Sequence, residues 1–175
     1  MAKILLIIAQ EGFQTKEYHD PKHLLEDAGH TIVTGSGKKG VAISNIGEKT
    51  VVDISLADIS AGDYDAIFVI GGPGALQYLD TPQTMRIIKD AAACEEVLYG
   101  AICVSPRILA KAGVLSGKHA TGWNGDGELP EIFSANNVIY DQRPVVVDGR
   151  VITADGPSSA EAFGRAISDS LKKNN

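Results

Sequence analysis

The segment LYGAICVSPRILAKAG, residues 98–113, joins a short run of apolar and small residues to a helix-like stretch through a single cysteine. The first five residues are typical of a strand that is covered on both faces. Ser105 and Pro106 then form a typical helix beginning, and Gly113 is a typical residue just past a helix end. Strand, sharp turn and helix are the parts from which parallel α/β sheets are built. The segment therefore predicts that fold class.

The turn in this segment has the residue spacing of a nucleophile elbow. Ala101 and Ser105 lie two positions before and after Cys103. Small residues are needed there because the sharp turn brings backbone segments close together. In this interpretation Cys103 precedes a helix N-terminus, whose free N–H groups and dipole favour a thiolate. The pattern favours this reactive cysteine over the alternative, a buried apolar cysteine at a strand end.

The rest of the chain repeats the alternation of apolar runs and amphipathic stretches. Further buried strands are predicted at KILLIIA (3–9), HTIVTGS (30–36) and DYDAIFVIGG (63–72). Helices are predicted up to Gly29, over 81–96, from Ser105, and from about Ser158 to Lys172. A hairpin is predicted around Asp148 and Gly149. We expect one α/β domain over residues 1–175, with a mostly parallel sheet and helices on both faces.

Composition and charge restrict the class of protein. The 175 residues are 44% hydrophobic and 22% charged, with a formal net charge of −6. Lysine and arginine are scattered along the chain, which argues against a nucleic-acid surface. The N-terminal apolar run is too short for a signal peptide or a membrane span. We therefore expect a cytoplasmic protein with neither a membrane nor a nucleic-acid partner.

The other cysteine, Cys94, is predicted to have a packing role. It lies in KDAAACEE (89–96), inside a predicted helix with no turn or cap beside it. Cys94 and Cys103 do not resemble the disulfide framework of a secreted protein. A small residue packed on a helix face is therefore the better interpretation of Cys94.

Two further segments are expected at the same edge of the sheet as Cys103. Sites in doubly wound sheets form beyond the carboxyl ends of the strands. There the chain continues as QEGFQTKEYHDP (10–21) and as GGPGALQYL (71–79). The GGPG sequence matches neither the dinucleotide fingerprint nor the phosphate-binding P-loop. Its glycines would let backbone N–H groups approach a ligand or an oxyanion, although a tight turn explains the same sequence.

Five features in order resemble one known family. They are Glu17 followed by Pro21, LLEDAGHTI (24–32), DAIFVIGGPGA (65–75), GAICVSPRILAKAGVLSGKHAT (100–121) and VVVDGRVITADGPSSAEAFGRAI (145–167). Together they resemble the ThiJ/PfpI superfamily, which includes the Parkinson's-disease-associated deglycase and the PfpI-type intracellular proteases. The resemblance implies a flavodoxin-like three-layer α/β sandwich related to the class I glutamine amidotransferases. It also implies a homodimer or a higher homo-oligomer.

The resemblance assigns roles to individual residues. Cys103 matches the elbow nucleophile, and Glu17 matches the acidic residue whose side chain reaches the cysteine sulfur. Gly72 and Val104 match the positions whose backbone N–H groups form the oxyanion hole. A carboxylate and a thiolate in contact cannot both ionise at low cost. Because the helix N-terminus favours the thiolate, we expect Glu17 to hold the proton.

The histidines depart from the superfamily pattern. Val104 stands where many protease-like relatives carry a histidine, and Trp123 stands near the position of a histidine in the deglycase branch. No histidine follows residue 119, which excludes a Cys-His-Glu triad with a late histidine. His19 is a candidate pocket residue, although a helix-surface or subunit-contact role is favoured. Trp123 is expected in the pocket wall or in an interface.

The resemblance implies a cysteine-dependent enzyme of the hydrolase or glyoxalase type that acts on small reactive carbonyls or their adducts, with no metal or other cofactor. One alternative is an intracellular cysteine peptidase, for which the missing histidine is unfavourable. The other is a redox-sensing or stress-protective protein that does not turn over substrate at Cys103. Tyr18, His19 and Pro21 form an apolar-aromatic patch that is expected in the subunit interface.

Overall fold

The structure, a computed structural model, describes residues 1–173. Its strands are β1 (Lys3–Ile7), β2 (Glu11–Phe13), β3 (Thr31–Ser36), β4 (Gly40–Ser44), β5 (Lys49–Val52), β6 (Ile54–Ser55), β7 (Ala66–Val69), β8 (Leu98–Ile102), β9 (His119–Ala120), β10 (Ile139–Tyr140), β11 (Val145–Asp148) and β12 (Val151–Ala154). Its α-helices are α1 (Thr15–Asp27), α2 (Ala75–Leu79), α3 (Pro82–Ala93), α4 (Pro106–Lys111), α5 (Leu129–Ala135) and α6 (Ala160–Lys173). Short 3-10 turns cover Leu56–Asp58, Ala61–Asp63 and Pro157–Ser159.

Seven strands form the central sheet in the order β11-β12-β8-β7-β1-β3-β6. All neighbouring pairs are parallel except β11 and β12, which form the predicted antiparallel hairpin at one edge. The continuous apolar runs are buried on both faces, as the sequence indicates: Ile4 to Ile8 and Ala66 to Ile70 have no exposed surface. The mostly parallel α/β sheet predicted from the sequence is confirmed.

Helices cover both faces of this sheet because the strands that follow β1 are added first on one side of it and then on the other. The connection from β1 to β3 through α1 moves to one side, and the connection from β7 to β8 through α3 moves to the other. Right-handed crossovers in opposite directions place their helices on opposite faces. The flavodoxin-like sandwich is thereby confirmed. This change of side also creates a switch point at the carboxyl ends of β1, β7 and β8, where sites form in such sheets.

Helices α1 and α6 pack closely, and this contact corrects the predicted interface patch. A Cβ atom on Gly164 of α6 would lie 2.9 Å from Pro21 Cα, so the glycine permits the close approach. Pro21 is buried in this contact, and Tyr18 is 1% exposed with its hydroxyl 2.7 Å from Thr34 Oγ1. Because two of its three members are in the interior, the patch of Tyr18, His19 and Pro21 is not a surface.

Helix α3 is shorter than predicted, which also corrects the position of Cys94. The helix ends at Ala93, and Cys94 is its C-cap residue, half-buried and not inside the helix. A residue that is distant in the sequence, Arg150, binds the carbonyl groups at this helix end. The Arg150 guanidinium donates hydrogen bonds to the carbonyls of Ala92, Cys94 and Val97 at 2.8, 2.8 and 2.6 Å. These bonds satisfy carbonyl groups that a longer helix would have to satisfy itself.

Two small sheets lie outside the central one and were not predicted. Strands β2, β4 and β5 form a three-stranded sheet, and β9 pairs with β10. The first contains an antiparallel hairpin between β4 and β5. No helix within residues 1–173 combines the length and the apolar character needed to cross a membrane.

Candidate active site

Cys103 lies at the carboxyl end of β8, in the sharp turn before α4. Its backbone φ is 66°, in the left-handed region that residues other than glycine seldom adopt. The turn is held from two sides. The Cys103 N–H donates to the Ala154 carbonyl at 2.9 Å, and the Cys103 carbonyl accepts from the Trp123 N–H at 2.7 Å. This strained strand-to-helix turn is the backbone geometry of a nucleophile elbow.

Ser105 acts differently from the predicted helix cap. It adopts a helical conformation and its side chain makes no capping hydrogen bond. Instead the buried Ser105 hydroxyl donates to the Ile70 carbonyl at 2.8 Å. The hydroxyl therefore ties the elbow to the end of β7, the strand that leads into the GGPG turn.

Glu17 reaches the elbow from the first turn of α1. Its side chain has no exposed surface, and Oε2 accepts a hydrogen bond from the Gly71 N–H at 3.0 Å. A Cβ atom on Gly71 would lie 2.5 Å from Glu17 Oε2 and 2.6 Å from Cys103 Cβ. The absence of a side chain at position 71 therefore leaves the space in which the carboxyl and the cysteine meet. The other carboxyl oxygen, Oε1, is buried and makes no hydrogen bond of standard geometry.

Burial governs the ionisation of both partners. It raises the pKa of Glu17 to about 7, although the Cys103 thiol and the Gly71 N–H favour the carboxylate. Burial also raises the pKa of Cys103, and the facing Glu17 carboxylate raises it further. The expectation of a lowered thiol pKa is therefore wrong in direction, whereas the raised pKa of Glu17 has the direction expected for a carboxyl that holds its proton. Helix α4 has only the six residues Pro106–Lys111, so its dipole opposes these effects weakly.

Backbone N–H groups of Gly72 and Val104 interact with the Cys103 sulfur, and both lower its pKa. Gly72 has φ 123°, and a Cβ there would lie 2.4 Å from Gln14 N and 2.5 Å from Gly12 O. Only glycine therefore fits where the GGPG turn packs on residues 12–14. The structure thus brings together the four residues Cys103, Glu17, Gly72 and Val104.

The remaining two candidates differ from these four. Trp123 contacts the elbow through its backbone, and its side chain is 37% exposed. His19 follows Glu17 by two helical residues, about 200° around the helix axis, and so faces away from the cysteine. Its Nε2 lies 3.5 Å from Glu48 Oε2, and its ring packs beside Tyr18 and His23. The His19 side chain therefore does not line the site around Cys103.

Two residues of this site were missed by sequence reasoning. Gly71 holds the Glu17 carboxylate through its N–H, and the glycine doublet is the signal that could have identified it. Arg107, a buried charge one residue into α4, binds the segment that carries Trp123. A lone arginine beside Ile108 and Leu109 has no recognisable pattern. Within residues 1–173, no three His, Cys, Asp or Glu side chains are grouped so as to hold a metal ion.

Known proteins share sequence and fold with this chain. The model of the DJ-1/PfpI family matches residues 2–170. An uncharacterised protein of Methanocaldococcus jannaschii is 36% identical over 175 residues, covering 99% of this chain and 84% of that protein. The Bacillus subtilis protein YraA, which carries a provisional cysteine protease name, is 29% identical over 175 residues, covering 98% of this chain and all of YraA (100%).

Solved structures show the same architecture. A ThiJ/PfpI domain protein from Brachyspira murdochii superposes with a TM-score of 0.91 at 26% identity, covering 98% of this chain and 96% of that one. DJ-1 of Schizosaccharomyces pombe superposes with a TM-score of 0.85 at 22% identity, covering 98% and 94% of the two chains. With the family match extending over nearly the whole sequence, the chain belongs to the DJ-1/PfpI family.

Proposed function

We propose that this protein is a cysteine-dependent enzyme that converts small reactive carbonyl compounds, α-oxoaldehydes above all, without a cofactor. One observation carries the proposal: the Cys103 sulfur lies in a strained elbow between a fully buried carboxyl group and two backbone N–H groups. A nucleophile, a proton carrier and hydrogen-bond donors are the three parts that addition to an aldehyde requires. A cytoplasmic location and a small-molecule substrate belong to the same proposal.

The raised pKa values support a first step in which Glu17 is the base. Burial raises both pKa values, that of Glu17 to about 7, so this carboxyl is available as a general base near neutral pH. Glu17 takes the thiol proton while sulfur attacks the aldehyde carbon. The carbonyl π electrons move to oxygen, which takes that proton and completes a hemithioacetal. The N–H groups of Gly72 and Val104 would stabilise the negative charge on that oxygen.

The later steps need only the same carboxylate and water. Glu17 removes the proton from the former aldehyde carbon, giving an enediolate, and returns it to the neighbouring carbon, while the hydroxyl proton of the hemithioacetal moves to the neighbouring oxygen. The product of this transfer is a thioester of a 2-hydroxy acid. Water then hydrolyses the thioester, releases the acid and restores the Cys103 thiol. The sum is one α-oxoaldehyde plus one water giving one 2-hydroxy acid, with no net oxidation or reduction.

A cysteine peptidase is the second candidate, and the provisional name of YraA is the observation that favours it. A peptidase must protonate a leaving amine, a task that histidine usually performs. Val104 occupies the position after Cys103, and His19 pairs with Glu48. Glu17 would have to perform that protonation alone. This difference makes the carbonyl reaction the better proposal.

The test is turnover of methylglyoxal by the purified protein in buffer containing a metal chelator. We expect turnover by the native protein, none above background by Cys103→Ala, and native turnover by the matched control Cys94→Ala. Glu17→Gln should lose about two to four orders of magnitude in kcat, because the amide cannot carry a proton. Casein and a fluorogenic peptide serve as competing substrates in the same assay.

Native turnover no faster than that of Cys103→Ala would refute the carbonyl proposal. Cysteine-dependent cleavage of the peptide would then establish the peptidase. Inactivity on every substrate, with peroxide oxidation confined to Cys103, would establish the redox-sensing alternative.

A further inference from the structure

The fold buries two charged side chains in the elements that form the elbow and its surroundings. Among residues 1–173, Glu17 and Arg107 are the charged residues that the fold buries. Glu17 contacts the Cys103 sulfur, whereas Arg107 has no part in the chemistry described above. Burying a guanidinium is unfavourable unless its hydrogen bonds and its charge are matched, so the partners of Arg107 indicate what the burial achieves.

Those partners belong to a single segment, residues 121–128, which we call the tryptophan loop. Arg107 Nη2 donates to Asp126 Oδ1 at 2.7 Å and to the Trp123 carbonyl at 3.3 Å. Arg107 Nη1 lies 3.7 Å from Glu128 Oε2, and the guanidinium carbon lies 5.6 Å from the centroid of the Trp123 ring. The guanidinium therefore binds the loop through charge, hydrogen bonds and an aromatic contact together.

The tryptophan loop is also fixed directly to the elbow. The Trp123 N–H donates to the Cys103 carbonyl at 2.7 Å. A Cβ on Gly122 would lie 3.1 Å from that same carbonyl oxygen, and a Cβ on Gly125 would lie 2.4 Å from the Trp123 ring. The loop thus passes closely over the nucleophile turn and folds back beneath its own indole. The Trp123 side chain nevertheless keeps 37% of its surface exposed.

We propose that Arg107 is a positioning residue that holds the tryptophan loop against the elbow, so that the Trp123 indole lies at the rim of the site formed by Cys103, Glu17, Gly72 and Val104. An exposed indole at a pocket rim favours substrates with an apolar group next to the carbonyl. The selectivity part rests on the proposed function: this rim selects α-oxoaldehydes with an alkyl substituent over glyoxal. The positioning part does not depend on turnover.

The positioning part is tested by fluorescence and by alkylation, both in the Cys94→Ala background. Trp123 is the one tryptophan of the chain, so acrylamide quenching reports on this loop alone. We expect acrylamide to quench the Trp123 fluorescence more readily in Arg107→Met than in the native protein. We also expect iodoacetamide to alkylate Cys103, which is 8% exposed in the structure, severalfold faster in this variant. Arg107→Lys should give values between those of Arg107→Met and the native protein. Its ammonium group keeps the positive charge but lacks the planar set of N–H donors with which a guanidinium binds several acceptors.

The matched control is Arg150→Met, which removes another hydrogen-bonded guanidinium, one that contacts neither the elbow nor the loop. The proposal would be overturned if the Trp123 quenching and the Cys103 alkylation rate of Arg107→Met were the same as those of Arg150→Met. Should Arg107→Met not fold, Arg107→Lys and Asp126→Asn replace it. Native-like quenching and alkylation in both of these would also overturn it.

The selectivity part is tested by kinetics with glyoxal and with an α-oxoaldehyde that carries an isobutyl group. We expect Arg107→Met to raise KM for the isobutyl compound about tenfold, with little change in kcat or in KM for glyoxal. Equal changes in KM for the isobutyl compound and for glyoxal would overturn the proposal that the Trp123 rim selects alkyl-substituted substrates. Native protein without Cys103-dependent turnover would refute the proposed function instead, and quenching and alkylation would still decide the positioning role.

Discussion

The pair formed by Cys103 and Glu17 shows how the environment of single residues determines their chemistry. A cysteine ahead of a helix is expected to ionise easily, yet here Cys103 is 8% exposed and its sulfur faces a buried carboxyl group. Both groups then hold their protons to higher pH than they would in water. The protein gains a general base that titrates near neutral pH, and it loses stability in doing so.

That loss gives a prediction for Glu17→Gln. The carboxyl has a pKa of about 7 in the folded protein against 4.5 in the unfolded chain. Between these values the folded state holds a proton that the unfolded state has released, so native stability falls as pH rises through this window. Glutamine does not titrate. From pH 4 to pH 8 we expect the unfolding free energy of Glu17→Gln to rise relative to the native protein by up to about 3 kcal/mol.

Urea unfolding at several pH values measures this difference. Glu131→Gln, which changes an exposed carboxyl on α5, is the control. A difference between native protein and Glu17→Gln that stays constant from pH 4 to pH 8 would contradict the raised pKa of Glu17.

At the scale of elements, the end of α3 depends on a residue from the opposite part of the chain. Arg150 lies in the turn of the β11–β12 hairpin, and its guanidinium binds carbonyls at and beyond the end of the helix. The same guanidinium lies 5.5 Å from the centroid of the Tyr99 ring. The hairpin and the helix therefore stabilise each other.

We expect Arg150→Met to lower the free energy of unfolding by about 2–3 kcal/mol, because buried carbonyl groups lose a charged donor. Cys103-dependent turnover per folded molecule should stay native, since Arg150 contacts no residue of the site. Urea unfolding followed by circular dichroism measures the change. Arg165→Met is the control, because its exposed ion pair with Glu161 within α6 contributes little. Equal stability of the two variants would contradict this role of Arg150.

For the whole molecule, the distribution of exposed apolar side chains bears on assembly. The β4–β5 hairpin and its turn carry four of them: Val41 (50% exposed), Ile43 (39%), Ile46 (67%) and Val51 (70%). Val41 and Val51 are direct cross-strand partners, so their side chains lie on the same face of the small sheet. We propose that this hairpin face replaces the patch of Tyr18, His19 and Pro21 as the surface of a homodimer.

Light scattering at micromolar concentration should therefore give twice the 18.4 kDa mass of one chain. A Val41→Lys, Val51→Lys double variant should give the monomer mass, because burying two lysines without partners is unfavourable. Val147→Lys, which changes an exposed valine on β11, should leave the dimer intact. A monomeric native protein would contradict the dimer, and a dimeric double variant would contradict the hairpin surface.

The sequence alone was sufficient for the features that depend on neighbouring residues. Continuous apolar runs predicted the buried strands, and the order of strands and helices predicted the parallel sheet. Small residues on both sides of Cys103 predicted its sharp turn. The ordered motifs indicated the family and, through it, the pairing of Glu17 with Cys103. These inferences succeed because burial on both faces and tight turns restrict residue types locally.

Only the tertiary structure decided the features that join distant parts of the chain. Glu17 Oε2 and the Gly71 N–H are 54 residues apart, and Arg150 and the Cys94 carbonyl are 56 apart. The first contact buries the carboxyl whose pKa rises to about 7, and the second ends α3 before Cys94. Arg107 likewise acquires its role only when the tryptophan loop folds over α4. Burial and charge pairing depend on which surfaces meet in three dimensions, so no local pattern determines the direction of a pKa shift or the partner of a buried charge.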